Sequence, residues 1–501
     1  AEPFEPDAAG ILIPNLPNIF IASIPGNAAE AAKSIEKAMR DEWQVIADYV
    51  WNCRVEIGLP ESTEDRFWAQ VERHLSISWQ ITALKDDYVT AYKVNSWHLD
   101  AVRQTRDFKA WDSASGITEK DSLTGKEEAL VSGDDIKGKW KFLFKHSDYL
   151  SAAAIIKRCW HLAYLKERHH LKTGSKEFNI RSIPAIAARS SKLDDDEVAQ
   201  EKASGDKYIA AIAFDGDSIG KWVNGDYLLD KSKLAEHHSD FSKALSTFAL
   251  GKVRQIVERE VDGKDDEVKP CRVPLGQLIY AGGDDVVCLV PADVALDVAN
   301  QLRNAFRSAT GNTTSNGPKP DASAGIAIGH IHSPLQDLIR EAQKAEKRAK
   351  NDGPRPAFSI TLMKRSGEIS HWTARWDNGA IPLHDAIFEA MKNGELSGKF
   401  PHRLIELLDA YLTQTTGLSS SKDVPDFNAR EIITREFTHT AIRQGGMAVA
   451  TKLAPHLDDH LKQLSVATNQ QLLGGIIQLA TTLAFIFRNV PKTPSAERQP
   501  A

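Results

Sequence analysis

The spacing of apolar residues predicts the secondary structure of most of the chain. Short apolar runs typical of buried strands occur at 16–24, 207–214, 323–329 and 355–364, and residues 74–84 alternate as a half-buried strand does. Two further strand-like runs, LGQLIY and VVCLVP, are separated by AGGDD. Apolar residues recur with helical spacing in the segments 26–51, 235–261, 292–306 and 333–350. From about residue 370 onward the pattern is helical, and Asn27 is a suitable N-cap for the first helix.

The spacing of apolar residues predicts strands and helices most clearly between residues 207 and 364. Its core order is strand, helix, strand, strand, helix, strand, the split βαβ or ferredoxin-like arrangement of an α+β protein. The polar, charge-rich segment 190–206 precedes it and has no periodicity, so we interpret it as an exposed connection. Residues 491–501 have the composition of a frayed tail.

Acidic residues stand at two equivalent places in this unit. Asp215 and Asp217 follow the first strand, and Asp284 and Asp285 follow Gly282 and Gly283 at the tip of the hairpin. In a ferredoxin-like sheet the first strand lies beside this hairpin, so both clusters are expected at one edge. Crowded carboxylates repel one another and need a compensating cation. Magnesium prefers a few carboxylates together with phosphate oxygens, and two such ions can activate a hydroxyl and stabilise a leaving pyrophosphate.

Groups that suit phosphate binding accompany the carboxylates. The third helix ends with Lys347, Arg348 and Lys350, and backbone N–H groups at Ser218 begin a short helix after the first strand. Each feature has an ordinary structural explanation: a solvated hairpin turn, a loop after a strand, or cations at the negative end of a helix dipole. Their occurrence together, in the correct order on one unit, favours a site for metal-dependent nucleotide chemistry.

Composition narrows the class of protein. The 501 residues carry a net charge of −6, so any nucleic-acid contact must come from local basic patches or from partner proteins. The four cysteines are far apart, which argues against a disulfide framework or a zinc site and fits a reducing cytoplasm. The N-terminal residues lack a signal-peptide pattern, and the apolar run LLGGIIQLATTLAFIF is interrupted by Gly, Gln and Thr. We therefore expect a buried helix there and no membrane partner.

Four segments together resemble a known family. They are YIAAIAFDGDSIGKW, YAGGDDVVCLVP, SAGIAIGHIHSPLQDLIREAQKAEKRAK and FSITLMKRSGE. They are similar to the large subunit of type III CRISPR effector complexes, and most similar to its type III-B (Cmr) form. LPNIFIASIP and KDSLTGKEEAL resemble the first palm-like domain of that subunit and the segment after it.

The resemblance implies two ferredoxin-like palm domains, the second related to nucleotide cyclases, with helical domains between and after them. The expected domains are part of the first palm at 1–84, a mainly helical segment at 85–189, a linker at 190–206, the second palm at 207–368, a helical domain at 369–490 and a tail at 491–501.

The resemblance also implies a function. Within an RNA-guided complex that contains other subunits, crRNA and target RNA, ATP would be joined 3′ to 5′ into cyclic oligoadenylate. Asp215, Asp284 and Asp285 would hold two Mg²⁺ or Mn²⁺ ions. The nucleotide would be bound by residues at the strand end, in the hairpin and on the helix, namely Gly216, Asp217, Ser218, Gly282, Gly283, Lys350 and Lys347.

The chain departs from the family pattern in two respects. No HD nuclease motif is visible at the N-terminus, and we interpret the isolated His384–Asp385 pair as structural. The KDSLTG segment lacks the cysteines of the family's zinc site, so zinc is not expected. The adjacent pairs His169–His170 and His237–His238 point to different faces and are not expected to chelate one ion.

Two other functions stay open at the level of sequence. The same palm could make an AMP conjugate or a cyclic dinucleotide, because the acceptor pocket depends on tertiary contacts. The chain could also be a scaffold for the crRNA complex with an inactive palm, although all the expected carboxylates are present. A template-directed polymerase is less well supported, since no second basic domain that could grip a duplex is visible.

Overall fold

The structure is a computed structural model. It describes residues 19–85, 87–105, 119–168, 181–191, 207–264, 269–311, 319–351, 355–416 and 427–489. Two compact units divide the chain: one is Ile19–Asn179, and the other is Ile180–Ala501 with Ala1–Asn18. The predicted tail, nearly all of the predicted linker and His169–His170 lie outside the described residues.

The unit Ile19–Asn179 is mainly helical. Its helices are Ala28–Asn52, Arg54–Ile57, Glu64–His74, Tyr88–Gln104, Ala152–Trp160, the π-helical turn His161–Leu165 and Lys166–Arg168. Two short strands pair with each other, β1 (Val131–Ser132) and β2 (Tyr149–Leu150). Asn27 caps the first helix as predicted, because its side chain accepts a hydrogen bond from the Glu30 N–H. Val50, Phe67 and Ile155 are fully buried in this unit's core.

The strands predicted at 16–24 and 74–84 are wrong for their described parts. Residues 19–24 and 75–84 have no regular secondary structure. A strand needs a neighbour with which to exchange backbone hydrogen bonds, and alternation alone does not supply one. Side chains hold the second segment instead: Arg40 donates to the Leu75 carbonyl oxygen, and the Trp79 indole donates to Glu36.

The unit Ile180–Ala501 contains a mixed six-stranded sheet. The strands are β3 (Tyr208–Gly216), β6 (Gln277–Gly282), β7 (Asp285–Pro291), β8 (Ala322–His330), β9 (Ala357–Met363) and β10 (Ile369–Arg375), and β4 (Glu260–Lys264) pairs separately with β5 (Pro270–Pro274). The sheet order is β10-β9-β8-β3-β7-β6. Its central part, β8-β3-β7-β6, is fully antiparallel and has the strand order of a ferredoxin-like fold. The predicted α+β class is therefore confirmed.

The two faces of this sheet differ in side-chain size. Ile212 and Phe214 on β3 point to a core that also contains Phe248 and Phe306 from the helices on that side. Ala211 and Ala213 belong to the opposite face, which packs against the helix Leu335–Asn351. Small residues there let the helix approach closely: a Cβ on Gly325 would lie 2.0 Å from the Glu346 backbone nitrogen. The alternation along β3 thus fixes where this helix can lie.

The helices of this unit fall into two groups, before and after β10. The helices before β10 are Ile183–Ala187, Ile219–Val223, Leu234–Ser246, the π-helical segment Thr247–Val253, Arg254–Val257, Ala295–Thr310 and Leu335–Asn351. After β10 come Ala380–Lys392, Phe400–Thr416, Ala429–Gly445, Met447–Gln463 and Asn469–Asn489. Single 3-10 turns of this unit lie at Lys231–Lys233 and Ala292–Val294. Those of the unit Ile19–Asn179 lie at Glu61–Thr63, Gly133–Asp135 and Lys141–Leu143.

Two boundaries differ from the sequence-based expectation. Helix was expected from about residue 370, but Ile369–Arg375 forms β10 and pairs along its whole length with β9. Only one residue of this edge strand, Trp372, is fully buried, so its hydrophobic pattern is weak. The helix predicted to reach residue 261 ends at Val257, and β4 begins at Glu260.

The helix Asn469–Asn489 contains the apolar run and is buried on one side, as predicted. Within the described residues it is long and apolar enough to cross a membrane, by length and composition alone. Half of its most apolar stretch is buried against the rest of the unit, which core helices also show. Leu473, Ile476 and Leu483 are fully buried in the same core as the sheet.

Candidate active site

The register of the sheet brings the two acidic clusters to one edge. Phe214 on β3 pairs with Val286 on β7, so the next positions along the two antiparallel strands are Asp215 and Asp285. Gly282 pairs with Asp285 and closes the hairpin, which leaves Gly283 and Asp284 as its two turn residues. Asp284 lies close to the end of β3, since a Cβ on Gly216 would be 3.1 Å from the Asp284 Cβ.

The glycines of this edge have distinct geometric roles. Gly283 has φ +80°, which the first central position of a type II′ hairpin turn requires. A Cβ on Gly282 would collide with the Tyr280 hydroxyl, so the phenol ring covers this side of Gly282. A Cβ on Gly283 would meet nothing closer than 3.9 Å, so the backbone of the turn is open to a close approach there.

The hairpin carboxylates are held in an environment that opposes ionisation. Burial raises the pKa of Asp284, which is half-buried. Surrounding protein raises the pKa of Asp285 as well, and the neighbouring Asp284 carboxylate raises it further, although the Asp285 side chain reaches solvent. Two adjacent carboxyls with raised pKa values are stabilised in their charged forms by a nearby cation.

Lys350 supplies a positive charge at this edge. Its ammonium contacts the Asp215 carboxylate and lies 2.8 Å from Glu346 Oε1, one helical turn earlier. Burial, and then the charge of Arg355, lower the pKa of Lys350 to about 8. At pH 7 the side chain is therefore still an ammonium ion.

Asp217 is more deeply enclosed than Asp215. Both of its carboxylate oxygens accept from the Ser323 hydroxyl, at 3.0 and 2.9 Å, and Arg355 Nε lies 4.0 Å away. Burial raises the pKa of Asp217 to about 6, which the Ser323 hydrogen bonds and Arg355 only partly offset. Its backbone N–H donates to the Asp321 carbonyl oxygen at 2.8 Å. The structure thus ties Asp217 to the first residues of β8.

Comparisons with known proteins match this part of the chain. Residues 208–359 match the family model for the second palm domain of Cas10/Cmr2. A curated relative, the CRISPR system Cmr subunit Cmr2 of Pyrococcus furiosus, is 31% identical over 230 residues. The resemblance to Cas10/Cmr2 is confirmed. That alignment covers 41% of this chain and 24% of the relative, so the chain spans about a quarter of the relative's length.

Solved structures give a weaker likeness. Csm1 of T. onnurineus is 18% identical with a TM-score of 0.36, over 61% of this chain and 39% of that one. A Csm1–Csm4 cassette in complex with cA4 is 16% identical with a TM-score of 0.30, over 51% and 37% of the two chains. Scores this low add no argument to the match with the Cas10/Cmr2 palm.

The other predicted nucleotide-binding residues of the Cas10/Cmr2-like palm lie around the carboxylates. Ser218 has φ +56°, a left-handed conformation that is uncommon outside glycine, and directly precedes the short helix Ile219–Val223. Gly216 is the last residue of β3 and is buried. Lys347 is exposed on the helix that carries Lys350, whereas the intervening Arg348 contacts the Thr361 hydroxyl.

The donor set fits a hard divalent cation in its chemistry. Asp215, Asp284 and Asp285 offer carboxylate oxygens, which magnesium and manganese prefer, and burial raises the pKa values of the last two. In the part of the chain that the structure describes, no three His, Cys, Asp or Glu side chains converge closely enough to hold an ion. Lys350 occupies the position beside Asp215 instead.

Two sets of residues at this edge of the palm were not predicted from the sequence. Glu346 is half-buried beside Lys350 on the same helix. The spacing of four residues between them is a sequence feature that predicts such an ion pair. Arg303, only 3% exposed, pairs with Asp321 and Asp377 at 2.7–2.9 Å. These carboxylates are 18 and 74 residues away along the chain, so no local pattern indicates the network.

Histidines and cavities elsewhere do not form a competing site among the described residues. His237 and His238 contact the Trp222 and Val223 carbonyl oxygens, respectively, which gives both a structural role. His384 is buried, stacks on Trp372 and contacts Asp385. A small pocket lined in part by Tyr208 and Phe485 lies at the start of β3, the opposite end from Asp215.

Proposed function

We propose that this chain is a type III CRISPR large subunit of the Cmr type whose palm converts ATP into cyclic oligoadenylate. The observation that carries the proposal is the strand register, which places Asp215, Asp284 and Asp285 at one edge of the Cas10/Cmr2-like sheet, where the Lys350 ammonium contacts Asp215. Carboxylates for metal ions and a cation for phosphate oxygens are the groups that nucleotidyl transfer needs.

The residues have separate roles in this reaction. Asp215, Asp284 and Asp285 would hold Mg²⁺ or Mn²⁺, which when bound favours deprotonation of a 3′-hydroxyl and neutralises charge on pyrophosphate. The 3′-oxygen of one ATP forms a bond to the α-phosphorus of another, the bond from that phosphorus to pyrophosphate breaks, and the hydroxyl proton goes to solvent. Lys350 contacts the triphosphate, and Lys347 is the second candidate for this contact.

The backbone shapes the space in which this happens. Gly283 leaves the hairpin tip open, so a phosphate can lie against its backbone, while Gly282 makes room for the Tyr280 ring. Gly216 and the left-handed Ser218 turn the chain away directly after Asp215. Asp217 holds this turn to β8 through Ser323 and the Asp321 carbonyl oxygen.

The partners follow from the relatives. The curated relative is a Cmr subunit, and we propose that this chain assembles with other subunits of such a complex, with crRNA and with target RNA, in the cytoplasm. Pairing of the guide with its target would switch on synthesis. A non-catalytic scaffold is less well supported, because the acidic residues of the palm are all present at the sheet edge.

Turnover of ATP in the assembled, target-bound complex tests this proposal. The variant Asp284→Ala/Asp285→Ala should lose activity by a factor of about 1,000 or more, because the proposed metal-binding oxygens are removed. The matched control is Asp458→Ala/Asp459→Ala, a second adjacent pair that is exposed on the helix Met447–Gln463. Equal activity in the two variants would reject the site.

A further inference from the structure

The Lys350 ammonium lies between two carboxylates that have different surroundings. Asp215 belongs to the end of β3 and its side chain is 36% exposed, whereas Glu346 is 13% exposed, like Lys350 itself. Glu346 Oε1 lies 2.8 Å from the ammonium nitrogen and precedes Lys350 by four residues on the same helix. The helical spacing holds this second pair together whatever happens at Asp215.

The Lys350 ammonium and a divalent cation compete for the charge of the Asp215 carboxylate. The contact with Lys350 is made by Asp215 Oδ2, an oxygen of the carboxylate to which the proposed function assigns metal binding. An ammonium in contact with this oxygen offsets part of the carboxylate charge and repels a second cation. Metal binding at Asp215 therefore weakens the attraction between Asp215 and Lys350, and Glu346 is the partner within reach.

We propose that Glu346 is a positioning residue that determines how strongly Lys350 competes with the divalent cation for Asp215. Glu346 keeps the ammonium at the edge of the site after Asp215 has released it, in position for triphosphate oxygens. Without the Glu346 charge, Lys350 binds Asp215 more tightly and the cation binds more weakly. This inference rests on the proposed function, because it takes Asp215 to be a metal ligand.

Other charges surround Glu346 and define the alternative explanation. Asp285 and Asp217 repel its carboxylate, while Lys347 and Arg355 attract it. A negative charge at this place also favours cation binding by simple long-range attraction, without any action through Lys350. The two explanations differ in a double-mutant cycle, since an effect transmitted by Lys350 disappears when Lys350 is removed.

The experiment measures Mn²⁺ affinity by electron paramagnetic resonance on the full chain without nucleotide. Lys350→Met should tighten binding by about threefold to tenfold, and Glu346→Gln should weaken it by about threefold, the range expected for a partly buried charge pair. The double variant should bind Mn²⁺ as Lys350→Met does. Lys350→Gln serves as the second variant at this position, and thermal unfolding checks that each protein is folded.

Matched controls come from the same helix. Glu341 and Lys344 form another acid–base pair on this helix, at 2.6 Å and with a more exposed lysine, so Glu341→Gln and Lys344→Met should leave Mn²⁺ affinity unchanged. If Glu346→Gln weakens Mn²⁺ binding equally in the wild type and in Lys350→Met, the inference is overturned, while the proposed metal site stands. Unchanged Mn²⁺ affinity in Asp215→Ala would instead overturn the assignment of the metal ligand on which the proposed function rests.

Discussion

Three carboxyl groups at the sheet edge lie in surroundings that make their ionised forms unfavourable for folding. Asp217 is the clearest case, because burial raises its pKa to about 6 from an ordinary value of 3.8. Asp284 and Asp285 also have raised pKa values. Buried carboxyls that are costly to ionise are typical of functional sites, where a ligand later compensates the charge.

Asp217→Asn should stabilise the folded chain at high pH. The folded state binds the Asp217 proton more tightly than the unfolded state, so the wild type loses stability as pH rises from about 4 to about 6. The substitution should raise the free energy of unfolding by about 2 kcal/mol at pH 8 and have little effect below pH 4. Urea denaturation in EDTA measures this.

The exposed Asp226→Asn is the control and should show no such pH dependence. A gain in stability for Asp217→Asn that is the same at pH 4 and pH 8 would contradict the account of this carboxyl.

Sequence reasoning at this scale identifies residues whose neighbours are close along the chain. Asp215, Asp284 and Asp285 stand next to recognisable strands, so their common edge follows from the ferredoxin-like order. The four-residue spacing between Glu346 and Lys350 is enough to indicate an ion pair, but Glu346 was not among the predicted site residues. The clamp of Arg303 on Asp321 and Asp377 joins distant segments, which only the folded structure brings together.

At the scale of elements, the site depends on how closely the helix Leu335–Asn351 approaches the sheet. Gly325 on β8 lies under this helix, and Lys350 near its end reaches Asp215. Small residues on β3 and β8 make that distance possible. Packing between the two elements therefore sets the position of Lys350, the proposed phosphate-binding lysine.

Gly325→Ala should test this dependence. Its Cβ would lie 2.0 Å from the Glu346 nitrogen and 2.1 Å from the Ala342 oxygen, so the helix must move outward. We expect a loss of about 3 kcal/mol in the free energy of unfolding, together with weaker ATP binding, because overpacking displaces backbone. Urea denaturation and isothermal titration measure the two effects.

The control lies on the same strand under the same helix. The closest atom to a Cβ on Gly329 would be the end of the flexible Leu338 side chain, at 2.9 Å, so Gly329→Ala should cost much less. Equal losses for the two variants would show that the close approach at Gly325 is not limiting.

Strands buried on both sides were predictable, as was the edge strand β6, but the edge strand β10 was not. The strands β3, β7 and β8 are continuous apolar runs, so their existence follows from the sequence. The edge strand β10 mixes exposed and half-buried residues around one tryptophan and gives no such signal. The described parts of the apolar run 16–24 and of the alternating segment 74–84 show the converse, since they have the pattern of strands without the structure.

At the scale of the whole unit, the sheet and the C-terminal helices share one continuous hydrophobic core. It extends from Ala210 on β3 to Ile486 on the last helix. The Phe485 ring packs edge-on against Tyr208 on β3, with 4.7 Å between ring centroids. The helices were predicted from their periodicity, but this packing was not, because it depends on tertiary contacts.

Leu483→Ala should therefore destabilise the sheet as well as the helices. Leu483 is 1% exposed in the shared core, and its truncation should cost about 3 kcal/mol. Hydrogen exchange followed by mass spectrometry should show faster exchange in both the helix Asn469–Asn489 and β8. Val466→Ala, at a residue that is 97% exposed, should change neither. Faster exchange confined to the helices would contradict a common core.

The central claim is that the edge formed by β3 and the β6–β7 hairpin joins adenylates. Mass spectrometry of the products made from ATP and Mn²⁺ by the assembled, target-bound complex tests it most directly. We predict cyclic oligoadenylate from the wild type and none from Asp284→Ala/Asp285→Ala. An AMP conjugate or a cyclic dinucleotide as the product would show that the same site carries out the transfer but makes a different product. The absence of any nucleotide product from the wild-type complex would contradict the claim.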